Sequence, residues 1–225
     1  MARRSRRADV PPDWTSVLAV MAHADDVPFA LGAILDAFMF AGARVDVICL
    51  THAQVWMMDE APADLATLRG AEQACAAHVL GPIWVQMQDC ADRRRGGACQ
   101  MKLAAEVVVA ADCCHPNGLL AFDTPALSGH LAHVAATSAG LLAAETLDLP
   151  VLGWTLSETV AVQLSRQFGT SFLGHHEEQI DLRVIVERAR QRLASQAEAA
   201  KATPSAARHR LEILADTQSQ RWLRV

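Results

Sequence analysis

The chain has 225 residues, 52% of them hydrophobic, and a formal net charge of −5. That composition excludes a disordered chain, and the length suits one domain with a full core. The acidic balance argues against nucleic acid as the main partner, and no apolar run reaches the length of a membrane span.

The first residues, Met1 to Arg7, are locally basic, but Asp9, Pro11, Pro12 and Asp13 follow where a secretory signal would need an apolar stretch. Residues 1–15 are therefore expected to form a flexible basic arm ahead of a single domain over 16–225. An apolar strand is expected from Ser16 to Ala22, then an apolar helix from near Pro28 to Gly42. Arg44 to Leu50 alternates and then runs apolar, as a buried parallel strand does. A helix over Ala63 to Val79 stops at Gly81-Pro82, and Ile83 to Val85 makes a short third strand. A loop with Asp89, Asp92 and Arg93-Arg94-Arg95 comes next. Met101 to Ala111 reads as helix, Leu119 to Phe122 as strand four, and His130 to Glu145 as helix. Beyond these, Val151 to Trp154 and Ile180 to Leu182 are candidate strands, and Val184 to Lys201 and Ala206 to Ala215 candidate helices. The alternation implies an α/β fold: a Rossmann-like, doubly wound, mostly parallel sheet with helices on both faces, in three layers.

Six cysteines, Cys49, Cys75, Cys90, Cys99, Cys113 and Cys114, include no Cys-x-x-Cys pair, which fits a reduced, cytoplasmic protein.

Ligands of open α/β sheets bind at the carboxyl ends of the strands. His23, Asp25, Asp26, Asp89, Asp123, His130 and His133 all follow expected strands. Ionisable groups at the end of an apolar strand are costly to bury without a partner, and a divalent metal would satisfy them. Two histidines and one aspartate leave open positions, as a catalytic zinc site requires, with one aspartate left to work on water. Iron(II) or manganese(II) would accept the same donors. Each residue also has a plainer reading: a buried hydrogen-bond network, a helix cap at Asp25, an i, i+3 pair for Arg69 and Glu72, a loop turn at Asp89. His175-His176 reads as a solvated loop without accompanying carboxylates, and His52 as a loop histidine. Arg93 to Arg95 reads as a solvated run, or as a contact for an anionic substrate.

Val17 to Leu50 resembles the start of the PIG-L/LmbE-like deacetylases. Their Ala-His-Pro-Asp-Asp appears here as Ala22-His23-Ala24-Asp25-Asp26, and their Gly-His-Pro-Asp-His as Gly129-His130-Leu131-Ala132-His133, a few residues past Asp123. Arg69-Gly70-Ala71-Glu72 resembles the family's Arg-x-x-Glu helix, and the likeness extends over residues 16 to 145. It implies that His23, Asp26 and His133 bind zinc and that Asp25 is the general base. His130 would steady the oxyanion or protonate the leaving amine, and Arg69 and Asp89 would hold sugar hydroxyls or a neighbouring anionic group. The implied reaction is removal of an N-acetyl group from an amino sugar or a small molecule containing one, in secondary-metabolite, antibiotic or thiol biosynthesis. The implied partner is that small molecule; homo-oligomerisation stays open.

Departures from the family pattern are local. Ala24 replaces Pro, Val27 replaces Glu, Ala30 and Ala33 stand where Gly is common, and Leu131-Ala132 replaces Pro-Asp. Ser128 lies where some members place Tyr, and the chain contains no Tyr, which excludes a tyrosine-assisted oxyanion hole. An amidase acting on a non-sugar N-acyl or thiol-conjugate substrate, or a non-catalytic metal-binding homologue, is the alternative these changes leave open.

Overall fold

Long apolar runs set the centre of the fold. A computed structural model describes residues 10–22, 26, 31–50, 85–87, 96–124, 127, 130–185 and 217–223, with backbone alone at 85–87, 96–99, 168, 185, 217 and 218. Five parallel strands come first in the chain: β1 (Ser16–Met21), β2 (Arg44–Cys49), β3 (Val85–Met87), β4 (Gly118–Phe122) and β5 (Val151–Thr155). β6 (Leu182–Ile185) and β7 (Thr217–Leu223) complete a seven-stranded sheet of order β3-β2-β1-β4-β5-β7-β6. β7 runs antiparallel to both neighbours. The helices are α1 (Gly32–Phe40), α2 (Gly96–Cys114), α3 (Leu131–Leu147) and α4 (Glu158–Phe168). None of these is long and apolar enough to cross a membrane.

The three-layer reading of the sequence holds. Side chains alternate between faces along a strand, so a strand covered on both sides must be apolar throughout. β1 shows this directly. Val17, Ala19 and Met21 join one core with Ile34, Leu35 and Phe38 of α1 and Leu164 of α4. Leu18, Val20 and Ala22 join the other with Val107 and Ala110 of α2 and Ala139 and Ala143 of α3. Helix α3 buries mostly small residues, Ala136, Ala139, Gly140, Ala143 and Ala144, which let its backbone lie close to the sheet. The buried Thr137 hydroxyl donates to the carbonyl of Phe122 at 3.2 Å, pinning α3 to the end of β4.

The chain leaves β1 through α1 on one face and enters β4 from α2 on the other. β1 and β4 are nonetheless neighbours in the sheet. This reversal opens a crevice between their carboxyl ends, the usual ligand position in such sheets.

Three expectations need correction. Residues 11–15 do not belong to a loose arm: Trp14 stacks on Phe38 at 5.5 Å, and the Thr15 and Ser16 amides donate to Asn117 Oδ1. The strand β6 occupies 182–185, where a helix was expected to start at Val184. Helix α4 and strand β7 were not foreseen. The arm over 1–9, the expected helices at 63–79 and 206–215, and the body of that at 184–201 lie outside the described residues. Of the cysteines, Cys49 and Cys114 are buried. Burial, reinforced by the Asp46 charge, pushes the Cys114 thiol up to about 11, so it serves as a small apolar group at neutral pH.

Candidate functional site

The crevice between β1 and β4 collects residues from two loops. Asp26 lies beyond the end of β1 and is buried. His133 occupies the first turn of α3, after β4. The two meet across 107 residues of sequence, with His133 Nε2 3.0 Å from Asp26 Oδ1. The His133 ring stacks on Phe122, the last residue of β4, with centroids 4.4 Å apart and planes at 20°. Phe122 therefore fixes the plane in which the imidazole presents its nitrogen.

His130 is the N-cap of α3, in extended conformation at φ −61° and ψ 121°. It stands three positions before His133, so both rings project from one side of the helix start, and their centroids lie 4.9 Å apart. Nδ1 of His130 is buried. The sequence places these two histidines and Asp26 on one rim, and the structure brings the three together. His23, Asp25, Arg69 and Asp89 lie outside the described residues, as do His52 and Arg93 to Arg95.

The donor chemistry fits a divalent metal. Two donors on one tetrahedral zinc, each at 2.0–2.1 Å, stand about 3.3 Å apart, close to the Asp26–His133 separation. The same spacing suits an imidazole N–H donating to a carboxylate. Among the described residues no group of three or more His, Cys, Asp or Glu is gathered as for a metal. The third ligand implied by the sequence resemblance, His23, is outside them.

A second polar cluster stands on this rim, around Asp123, whose partners His175 and Arg221 escaped the sequence reading. Asp123 directly follows β4, and its side chain is 1% exposed. Its Oδ2 lies 2.8 Å from His175 Nε2, and Arg221 Nη1 of β7 lies 3.4 Å from Oδ2 and 3.5 Å from Oδ1. Its Oδ1 also accepts from the Thr124 amide at 2.7 Å. Arg221 Nη1 is 3.2 Å from His175 Nε2, but Nε2 cannot donate to Asp123 and accept from Arg221 at once. The arrangement that satisfies every group has both side chains donating to the carboxylate.

The solvated-loop reading of His175-His176 is corrected for the first of the pair. His176 is exposed and pairs with Glu158, but His175 is mostly covered. Its backbone is fixed on both sides: its amide donates to the Leu156 carbonyl, and its carbonyl accepts from the Glu158 amide. Gly174 makes the approach feasible, since a Cβ there would sit 2.7 Å from Ala161 Cβ and 2.8 Å from the Ser157 carbonyl oxygen. These neighbours are backbone or short side chain and cannot swing away. Gly174→Ala is expected to cost roughly 1–3 kcal/mol, read as a lowered midpoint of thermal unfolding.

Comparisons with known proteins follow the same lines. The profile of the GlcNAc-PI de-N-acetylase (PIG-L) family matches residues 18–144, more than half of the chain. No curated protein matches. Several solved structures share the fold. A deacetylase of the teicoplanin biosynthesis pathway superposes with a TM-score of 0.64 at 18% identity, covering 94% of this chain and 99% of its own. The N,N'-diacetylchitobiose deacetylase of Pyrococcus horikoshii gives 0.63 at 16% identity, covering 94% and 84%. The 4-carboxy-2-hydroxymuconate hydratase of Pseudomonas putida gives 0.64 at 13% identity, covering 94% and 97%. A hydratase among these structures shows that the fold alone does not decide the chemistry.

Proposed function

Because this chain belongs to the PIG-L family of GlcNAc-PI de-N-acetylases, we propose that it is a metal-dependent hydrolase that removes an N-acetyl group from an amino sugar or an amino-sugar-containing small molecule. The observation that carries the reading is the meeting of Asp26 and His133, from the family's two motifs, at the mouth of the β1/β4 crevice.

In this reading His23, Asp26 and His133 hold the metal, with zinc the first candidate and iron(II) or manganese(II) alternatives. A zinc ion so held supplies Lewis acidity and a water acidic enough to ionise near neutral pH. The protein's own groups do the rest. Asp25 takes a proton from the attacking water and returns it to the departing nitrogen. His130 donates a hydrogen bond to the carbonyl oxygen as negative charge develops on it. Arg69 and Asp89 hold hydroxyl groups of the sugar and fix the acetamide in line with the water. The amide C–N bond is exchanged for C–O, giving acetate and a free amine.

Asp25→Asn tests the assignment of the base. Turnover is expected to fall by about 10²–10⁴, the usual contribution of a positioned general base, while bound metal stays at the wild-type level. An Asp25→Asn protein that carries metal and turns over normally would remove Asp25 from that role.

A further inference from the structure

The Asp123–His175–Arg221 cluster has no part in the reaction just described, yet it adjoins the same crevice. Asp123 follows Phe122, whose ring stacks on His133. The loop leading to His130 is tied to the loop leading to His175, since the Leu173 amide donates to the Leu127 carbonyl at 2.6 Å. Leu127 is held at φ 57°, a left-handed conformation that leucine rarely adopts. The two segments are thus tied together at Leu127 and Leu173.

The cluster is not built as a simple clamp. Arginine–carboxylate pairs frequently use two nitrogens, at 2.7–2.9 Å. Here Arg221 offers one nitrogen, Nη1, at 3.4–3.5 Å, while His175 makes the close contact at 2.8 Å. Among the described residues the Nε–Nη2 edge of the Arg221 guanidinium makes no hydrogen bond. The side chain that carries this edge is 30% exposed. This is the edge that binds planar or tetrahedral oxyanions in bidentate fashion.

We propose that Arg221, oriented by Asp123, whose carboxylate His175 also holds, forms a subsite beside the reaction centre for an oxyanion group of the substrate, a carboxylate or a phosphate ester. The proposal rests on the deacetylase reading only for the rest of the substrate, an amino sugar. The substrate class is then an acidic N-acetylated amino sugar.

The product side can be tested without turnover. Metal-loaded protein is titrated calorimetrically with glucosamine, glucosamine 6-phosphate and 2-amino-2-deoxyglucuronate. At least one of the two anionic ligands is expected to bind about tenfold or more tighter than glucosamine, the scale of one charge-assisted hydrogen-bond pair. Which anion gains tells carboxylate from phosphate. In Arg221→Gln that ratio should fall to near one. If this variant does not fold, Arg221→Lys keeps the charge but not the fork, and the ratio should drop at least about threefold. Equal affinity for all three ligands, binding of none, or a preference that survives in both variants would overturn the proposal; the last would place the anion on the metal. Amine release without anion preference would keep the deacetylase reading and remove the subsite. Anion preference without release of amine from any acetamide would do the reverse.

Discussion

Replacing His133 with alanine is expected to abolish the metal binding proposed for this site. His133 is held from two sides, by the ring of Phe122 and by Asp26 at 3.0 Å, so its nitrogen is aimed before any ligand arrives. Such preorganisation is what a metal ligand needs, because the cost of orienting it has been met on folding. Even groups that only support a ligand cost 10–100-fold in metal affinity when removed, and loss of the ligand itself should cost at least about 10²-fold. Turnover should fall further, by about 10³ or more, since several kcal/mol of transition-state stabilisation leave with the metal. Zinc content after dialysis and the rate of amine release measure both. His133→Ala also removes the ring stacked on Phe122, at a cost of about 0.5–1.5 kcal/mol. A folded variant without zinc separates the two effects, and an unchanged zinc content would reject His133 as a ligand.

The largest loss of stability is expected from Asp123→Ala. The carboxylate is buried, and three groups depend on it: the Thr124 amide, His175 and Arg221. Breaking a fully buried charge pair from one side costs 3–5 kcal/mol, because the remaining charge has no compensation. His175 and Arg221 are partly exposed and can recover some hydration, so about 2–3 kcal/mol is expected. For a domain of this size that lowers the unfolding midpoint by roughly 5–10 °C. The loss should also loosen the loop carrying His175, read as faster amide exchange around 173–176. A midpoint unchanged by Asp123→Ala would mean that Asp123 does not organise the three segments it joins.

The fold was legible where burial leaves a repeating mark. β1, β4 and β5 are covered on both faces and are apolar at nearly every position. Helix α3 shows its close approach to the sheet in its many alanines. β7 carries no such mark: it lies inside the sheet between β5 and β6, yet its sequence, Thr-Gln-Ser-Gln-Arg-Trp-Leu, is mostly polar. Gln220 is fully buried there, a tertiary solution with no hydrophobic periodicity to announce it. Helix α4 did offer a signal, Ser157 at its N-cap and Gly169 in the left-handed conformation at its end, but the polar residues Glu158, Thr159, Gln163, Ser165, Arg166 and Gln167 interrupt its apolar ones.

The site divides in the same way. Asp26 and the His130/His133 pair were readable because each stands beside a strand end within a compact motif. Asp123, His175 and Arg221 come from three segments as much as 98 residues apart. Only the pairing of β5 with β7, which sets Arg221 opposite Gly153, brings the last of them to the rim. No local pattern in the sequence encodes that pairing. Leu131-Ala132, in place of Pro-Asp, still opens α3 and leaves His133 beside Asp26, so the changed motif keeps the two side chains in contact.

Metal content measured on the purified protein, together with amine release from N-acetylglucosamine derivatives on the same sample, tests the central claim most directly. About one zinc, iron or manganese per chain, with stoichiometric acetate and amine, is the predicted result. A protein that holds no divalent metal at dialysis equilibrium, or that holds one and frees no amine from any N-acetylated amino sugar, would contradict it.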